Sequence, residues 1–211
     1  MGLGTESQNL FSFITPCPTL FHGGVNNFGV AFLPAVHQGV PLGTPGYPNT
    51  LAKDASFHYM ANNYQTPEQQ RLQLQLLRCL YEQNGAFDPI LEARIQSYEL
   101  AFRMQAEAPE VTDLKGESQS IRDLYGLSEP ETENFGTLCL LACRFVGRDV
   151  CFIQESYAHT FSFNNEQWDQ HAHLEAGYSN QRQADRQAHH RTGPRPQSPQ
   201  SPRRHLGLVG W

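Results

Sequence analysis

The fold is decided by two adjoining stretches, FGTLCLLACRFVG (135–147) and VCFI (150–153). Gly147 suits the end of a helix in the first stretch, because glycine readily takes the left-handed conformation there. The second stretch is short, apolar and rich in β-branched and aromatic residues, which is typical of a strand buried on both faces of a parallel sheet. A helix followed by such a strand predicts an α/β fold, in which ligands bind beyond the carboxyl ends of the strands. The apolar residues that would share one face of this helix, predicted over 129–147, are Phe135, Leu138, Leu141, Ala142 and Phe145.

Two further helices are predicted upstream as an antiparallel pair, over 66–84 and 88–107, joined by a short loop. Thr66-Pro67-Glu68-Gln69 has the residues of a capping box with proline at the first helical position, and Asp88-Pro89 repeats the start signal. Pro109 should close the second helix. We expect an apolar stripe to be buried on each helix, made of Leu72, Leu76, Leu77, Leu80 and Tyr81 in the first and of Leu91, Ile95, Tyr98 and Phe102 in the second.

The remaining predicted elements are short. FSFIT (11–15) reads as a strand, and AFLPAVHQGVPLG (31–43) reads as an irregular packed segment with one short strand. A helix is predicted over 118–125, ending at Gly126. These elements surround the helix and strand of 135–153 and keep the prediction within the α/β class.

The composition is that of a polar globular chain, with 211 residues, 39% of them hydrophobic, and a mean hydropathy of −0.52. It has no run of 18 apolar residues, which predicts no membrane span. The start has no basic region followed by an apolar stretch, so no signal peptide is predicted. The five cysteines form no CxxC pair, and Cys139 and Cys143 suit the helix core better than a metal site.

The charge of the chain is unevenly distributed. Residues 177–211 carry six arginines and one aspartate, whereas residues 1–176 carry nine Lys and Arg against twenty Asp and Glu. Such asymmetry marks a boundary. We therefore predict a domain over 1–176 and a disordered, basic tail rich in Pro, Arg and Gln over 177–211.

The candidate metal ligands are Asp169 and His171, in the sequence Trp168-Asp169-Gln170-His171. In an extended segment, side chains two apart point the same way, so both could reach one ion. A carboxylate oxygen and an imidazole nitrogen suit zinc, manganese or iron. His173 repeats the spacing, and His159 in the preceding loop is a weaker candidate. Spacing alone favours a structural or surface role for the Asp-x-His pair.

Several motifs together resemble the domain-of-unknown-function family number fifteen hundred and one, which belongs with the alkaline-phosphatase-like and sulfatase-like proteins. The resemblance covers roughly residues 2–176, and together the motifs are specific. The matching stretches are GLGTESQNL (2–10), AFLPAVHQGVPLG (31–43), ELAFRMQAEAPEVTDL (99–114), LYGL (124–127), FGTLCLLACRFVGRDVCFIQ (135–154) and WDQH (168–171).

The resemblance implies a partial alkaline-phosphatase-like α/β domain, with the predicted helical hairpin and the disordered tail. Intact relatives would be metal-dependent hydrolases of small anionic phosphate or sulfate esters, using zinc, manganese or calcium. Such enzymes hold metal with Asp and His at the ends of strands, so the resemblance supports the interpretation of Asp169 and His171 as metal ligands. Trp168 would wall the site. No nucleic acid or membrane partner is expected, and export of the intact relatives is left open.

The resemblance also implies missing parts. Enzymes of this superfamily have an upstream metal-binding Asp and a Ser, Thr or modified Cys nucleophile. This chain begins at the GLGTE motif, and Cys17, between two prolines, is not in a sulfatase-type context. We therefore expect an inactive fragment that lacks the nucleophile and several metal ligands. The alternative is a non-catalytic binding module, or a degenerate member, with an unknown partner.

Reading the family's motifs through the genetic code suggests an origin for the tail. After WDQH the family continues with Lys-Pro-Ile-Thr, Asp-Asp-Thr and Trp-Gly-Gly. Codons for these motifs, read in one shifted frame, encode Gln187–His190, Arg203–His205 and Val209–Trp211, in that order. The tail is therefore interpreted as frameshifted sequence, which explains its basic charge without nucleic acid.

Overall fold

The computed structural model describes residues 9–20, 23–29, 37–46, 50–58, 60, 64–85, 88–156, 174–175, 178–179 and 182. Within these ranges it has the mixture of helices and parallel strands that defines an α/β-like fold, which confirms the predicted class. The elements are β1 (Phe13–Pro16), β2 (Val40–Leu42), α1 (Pro67–Gln83), α2 (Pro89–Thr112), α3 (Gln119–Leu124), α4 (Pro130–Val146) and β3 (Phe152–Ile153), with 3-10 turns at Gly24–Phe28 and Ala52–Asp54.

The described sheet has three parallel strands in the order β2-β1-β3. β1 is central, and Ile14 pairs with Val40 on one side and with Ile153 on the other. The prediction that β3 is buried on both faces is wrong, because Phe152 is 55% exposed. In the described sheet β3 is an outer strand. The Phe152 ring contacts the Phe13 ring edge to face, with centroids 4.8 Å apart.

Helix α4 is the centre of the packing, as its sequence predicted. Leu138, Leu140, Leu141 and Phe145 are each at most 2% exposed, although they point in different directions around the helix. The main core cluster joins α4 to the sheet and to α2 through Leu10, Ile14, Leu42, Met104, Ala108, Val111, Leu141, Phe145 and Val150. A helix covered on several sides in this way fixes the sheet and α2 relative to each other.

Both ends of α4 lie within a residue of the prediction, but the cause at its carboxyl end is different. Gly147 keeps a right-handed backbone, with φ of −65°. The left-handed residue is Asp149, with φ of 67°. Near the start of the helix, a Cβ on Gly136 would lie 1.8 Å from the Tyr125 carbonyl oxygen, so glycine allows this close approach.

Helix α2 continues to Thr112, so the prediction that Pro109 closes it is wrong. Proline removes one helical hydrogen bond, but the last turn is held by other means. Ala108 and Val111 are buried in the core. The Arg144 guanidinium donates to the Val111 carbonyl at 2.7 Å and also contacts the Glu110 carbonyl and the Glu117 carboxylate. Packing and this side-chain cap therefore compensate for the proline.

The helical hairpin of α1 and α2 is present with the predicted caps. The Thr66 side chain accepts from the Gln69 backbone, completing the capping box, and Asp88 caps α2 through the N–H groups of Ile90 and Leu91. The predicted burial of the α1 stripe is wrong, since no residue of α1 is buried. Helix α1 lies outside α2, and α2 in turn packs on α4.

One arginine joins the two helices of the hairpin. Arg78 on α1 donates to Glu92 at 2.8 Å and to both oxygens of Glu99 at 3.0 Å, and its side chain is 27% exposed. Hydrogen bonding to Glu92 and Glu99 raises the pKa of Arg78. The hydrogen bonds that Glu92 accepts from Arg78 and Gln96 hold the pKa of Glu92 below its usual range. The hairpin is thus held in part by a polar contact between the two helices.

Three predictions concern the tail, most of which lies outside this description. Apart from Tyr178, Ser179 and Arg182, the predicted tail 177–211 lies outside the described residues. Its disorder, its frameshifted origin and the boundary at 176 therefore stay predictions.

Among the described helices, none is long and apolar enough to cross a membrane.

Candidate functional site

The metal ligands predicted from sequence, Asp169 and His171, lie outside the described residues, as do Trp168, His159 and His173. The structure therefore places none of them. Within the ranges that are described, no group of three or more His, Cys, Asp or Glu side chains is arranged to hold a metal ion. The zinc, manganese or calcium site stays a prediction.

The structure does describe the carboxyl edge of the sheet, where α/β proteins bind their ligands. Because the three strands are parallel, their carboxyl ends lie at one edge. β1 leads directly into Cys17, β2 into Gly43, and β3 into Gln154 and Glu155. The backbone N–H of Cys17 donates to the Leu42 carbonyl at 2.8 Å, and that of Gln154 donates to the Ile14 carbonyl at 3.1 Å, so these residues are fixed to the sheet.

Cys17 is buried in an uncommon backbone conformation. Its φ is 47°, in the left-handed region that few residues other than glycine adopt. Its side chain is 0% exposed and packs with Ala52 and Leu138. Burial raises the pKa of the Cys17 thiol to about 12, and the charges of Glu155 and Asp54 add to the rise. The thiol is therefore protonated at neutral pH and is a poor nucleophile.

Glu155 brings a carboxyl group into the same edge. Both of its side-chain oxygens are buried, and neither has a hydrogen-bond partner in the described structure. Burial raises the pKa of Glu155 to about 8, because an isolated charge in a low-dielectric site is costly. On the central strand, the Thr15 hydroxyl is likewise buried without a partner there. Unsatisfied buried polar groups are rare in folded proteins, and these two lie on adjacent strand segments.

The turn after β2 brings the Thr44 hydroxyl beside the His58 imidazole at the same edge of the sheet. Gly43 has φ of 84° and starts a turn in which the Thr44 N–H donates to the Thr50 hydroxyl at 2.9 Å. The Thr44 hydroxyl lies 3.0 Å from His58 Nε2. Thr44 and His58 are both exposed to solvent, so this pair lies on the surface at the rim of the sheet edge.

Sequence reasoning set Cys17 aside and did not single out Glu155, Thr44 or His58. The available signal was position: Cys17 follows the strand FSFIT, and Glu155 follows VCFI, where parallel sheets present their ligands. Burial and the raised pKa values arise from tertiary packing and have no local signature.

Comparison of the whole chain with known families agrees with the motifs. The family described as "Protein of unknown function (DUF1501)" matches residues 1–189. The match includes the described sheet, α1 to α4, and the stretch with Asp169 and His171, and it extends past residue 176 into the predicted tail. The chain matches no curated protein and no solved structure. Since the family covers most of the sequence, this chain belongs to the DUF1501 family.

Proposed function

We propose that this chain is a piece of a metal-dependent hydrolase of phosphate or sulfate esters, of the alkaline-phosphatase-like kind, and that it turns over no ester by itself. The observation that carries the proposal is at the carboxyl edge of the parallel sheet. There Cys17 directly follows β1 and Glu155 lies two residues beyond β3, close enough for its charge to add to the raised pKa of Cys17. Ionisable groups at this edge are the usual basis of α/β sites.

Glu155 supports a cation at this edge. Its two buried oxygens lack partners in the described structure, and a buried carboxylate is stable only when paired or coordinated. We propose that Glu155 loses its proton on binding zinc, manganese or calcium, and that Asp169 and His171 are further ligands. Carboxylate and imidazole donors together fit zinc, whereas manganese and calcium would rely on the carboxylates of Glu155 and Asp169. A divalent cation bound there would polarise an ester oxygen and offset the charge that develops on the transferred group.

The proposed inactivity rests on the nucleophile. The Cys17 thiol, with a pKa of about 12, has almost no thiolate at neutral pH. The Thr44 hydroxyl and His58 are within hydrogen-bond distance, but both are exposed to water. Catalytic groups act as a unit, so a cation without an activated nucleophile contributes little turnover.

Metal binding tests the first half of the proposal. Titration calorimetry of the purified chain with zinc, manganese and calcium should detect binding of at least one of them. Glu155→Gln and Asp169→Asn should each weaken that binding by about tenfold or more, as expected for lost ligands. His58→Gln is the matched control, because His58 lies at the rim and should leave affinity unchanged. Binding that is equal in all four proteins would reject the site.

Turnover tests the second half. With each metal added, an aryl phosphate and an aryl sulfate should be hydrolysed no faster than in buffer with metal alone. Activity that is lost in Asp169→Ala would show that the chain is a complete enzyme. Activity that persists in Asp169→Ala but is lost in Thr44→Val would assign the reaction to the Thr44–His58 pair and contradict the metal mechanism.

A further inference from the structure

A cavity of about 450 Å³ lies between the two helices of the hairpin. Its lining comes from α1 and α2 alone, so it is separate from the carboxyl edge of the sheet. The volume is typical of small-molecule sites in proteins, which measure about 300 to 1,000 Å³. The charged and large apolar side chains of the lining are Arg71, Leu74, Arg78, Glu99, Phe102 and Arg103.

Two polar contacts hold the helices together on either side of Leu74. The Arg78 guanidinium donates to both oxygens of Glu99 at 3.0 Å. The Gln105 side-chain amide donates to that of Gln70 at 3.1 Å. Gln70 and Arg78 are about two helical turns apart, and Leu74 lies midway between them. The cavity is therefore preformed, and ligand binding does not have to order the helices around it.

The apolar part of the cavity comes from Leu74 on α1 and Phe102 on α2. Both side chains are half-buried. A leucine and an aromatic ring that face a cavity favour a ligand with an aromatic or other flat apolar body. Arg71 and Arg103 are exposed, so the cavity opens to solvent and these two cations are at its mouth.

The charge of the lining favours an anion, because it consists of three arginines and one glutamate. The carboxylate is neutralised, since Arg78 donates to both oxygens of Glu99. Arg71 pairs with Glu68, but both side chains of that pair are more than half exposed, and Glu68 is not part of the lining. Exposed ion pairs contribute little to stability, so Arg71 can turn from Glu68 to a bound anion at small cost.

We propose that this cavity binds a small aromatic anion, such as an aryl carboxylate or sulfonate. The aromatic body contacts Leu74 and Phe102, and the anionic group accepts hydrogen bonds from Arg71 and Arg103. Guanidinium groups suit this role because they donate in pairs to planar anions. A neutral aromatic molecule would gain only the apolar contacts, and an inorganic anion only the contacts at the exposed mouth. The cavity therefore selects a ligand that has both parts.

Titration calorimetry of the full chain with naphthalene sulfonate tests the proposal. A metal chelator is present throughout, so the result does not depend on the metal site proposed at the sheet edge. We expect binding with a dissociation constant of about 10 to 100 μM. Binding should be at least about fivefold weaker for neutral naphthalene methanol, and also for naphthalene sulfonate with Arg103→Gln. Arg94→Gln is the matched control, because Arg94 is an exposed arginine of α2 outside the lining, and it should leave the affinity unchanged.

Cys79 gives a second readout, because it is exposed within the cavity lining, whereas Cys151 is exposed elsewhere. Peptide mapping measures how fast each thiol reacts with dithiobis-nitrobenzoate, an aromatic dianion, and with neutral dithiodipyridine. The ratio of the anionic to the neutral rate should be at least about threefold higher at Cys79 than at Cys151. Arg71→Gln and Arg103→Gln should each lower the ratio at Cys79 towards that at Cys151.

Three outcomes would overturn the proposal. The first is no binding of naphthalene sulfonate by a chain whose helices are folded by circular dichroism. The second is binding that is equal in Arg103→Gln and Arg94→Gln, or equal for the neutral analogue, since the cavity arginines would then have no part in it. The third is an equal ratio of rates at Cys79 and Cys151, which would show that the mouth of the cavity does not attract anions.

Discussion

Helices α1 and α4 have the same length of 17 residues and the same proline at their start, and α1 has five leucines against three in α4, yet the two helices lie in opposite environments. Leu138, Leu140 and Leu141 of α4 are buried, whereas Leu72 and Leu76 of α1 are more than half exposed. Periodicity indicates that a helix forms, but the number of neighbours decides how many of its sides are covered. Helix α4 lies among the sheet, α2 and the turn at Ala52–Asp54, while α1 packs mainly on α2.

The largest expected effect is a pH dependence of the free energy of unfolding, and it should come from Glu155. Its pKa is raised from 4.5 to about 8 in the folded chain. The folded state therefore holds a proton that the unfolded state releases between these values. The stability that the protonated Glu155 contributes is complete below about pH 4.5. It falls as the pH rises to about pH 8 and then levels off.

Glu155→Gln should remove this dependence, and relative to the variant the natural chain should lose on the order of 4 kcal/mol between about pH 4.5 and pH 8. Urea unfolding across this pH range, without added metal, measures it. Glu68→Gln on α1 is the control, since Glu68 is exposed and pairs only locally with Arg71. If both variants have the slope of the natural chain, Glu155 is not buried as a neutral acid.

The next largest effect compares one leucine from each helix. Leu141→Ala removes a side chain that is 2% exposed in the main core and should reduce the free energy of unfolding by about 3 kcal/mol. Leu76→Ala, at 59% exposure, should change it by no more than about 0.5 kcal/mol. Urea unfolding of the two variants and the natural chain gives both values. Similar losses in the two variants would mean that α1 is covered within the chain.

The smallest effect is local to the hairpin. Arg78→Ala removes the bonds to Glu92 and Glu99 and should lower the protection of α1 amides against hydrogen exchange by about 1 kcal/mol. The amides of α4 should exchange as before, because α4 does not depend on this pair. Arg71→Ala serves as the control, since its partner Glu68 lies three residues earlier in α1. Equal acceleration in α1 and α4 would show that the hairpin and the core unfold together.

The sequence predicted best what depends on local chemistry. The starts of α1 and α2 follow from Thr66-Pro67 and Asp88-Pro89, whose caps form as expected. The end of α2 was missed because Arg144, far along the chain, caps the turn that contains Pro109. The exposure of the α1 leucines was missed because periodicity does not indicate how many faces have neighbours. The outer position of β3 in the described sheet likewise depends on strand order.

The candidate site was predictable only in its general place. The rule that ligands bind at the carboxyl ends of parallel strands points to the edge that holds Cys17 and Glu155, and FSFIT and VCFI mark two of its strands. The sequence could not indicate that the Glu155 carboxyl would be buried beside Cys17, since the two residues are brought together only by the pairing of β1 with β3. Asp169 and His171 remain predictions from the family resemblance.

The position of β1 at the centre of the sheet has a consequence for the order of folding. Ile14 of β1 pairs with Ile153, which lies 139 positions later in the chain, whereas α1 and α2 are joined by a short connection. Contacts between distant residues form slowly, because a long loop must close first. During synthesis the hairpin can therefore form while β1 still lacks one neighbour. The edge that brings Cys17 and Glu155 together is assembled only after Glu155 has left the ribosome, long after both helices of the hairpin.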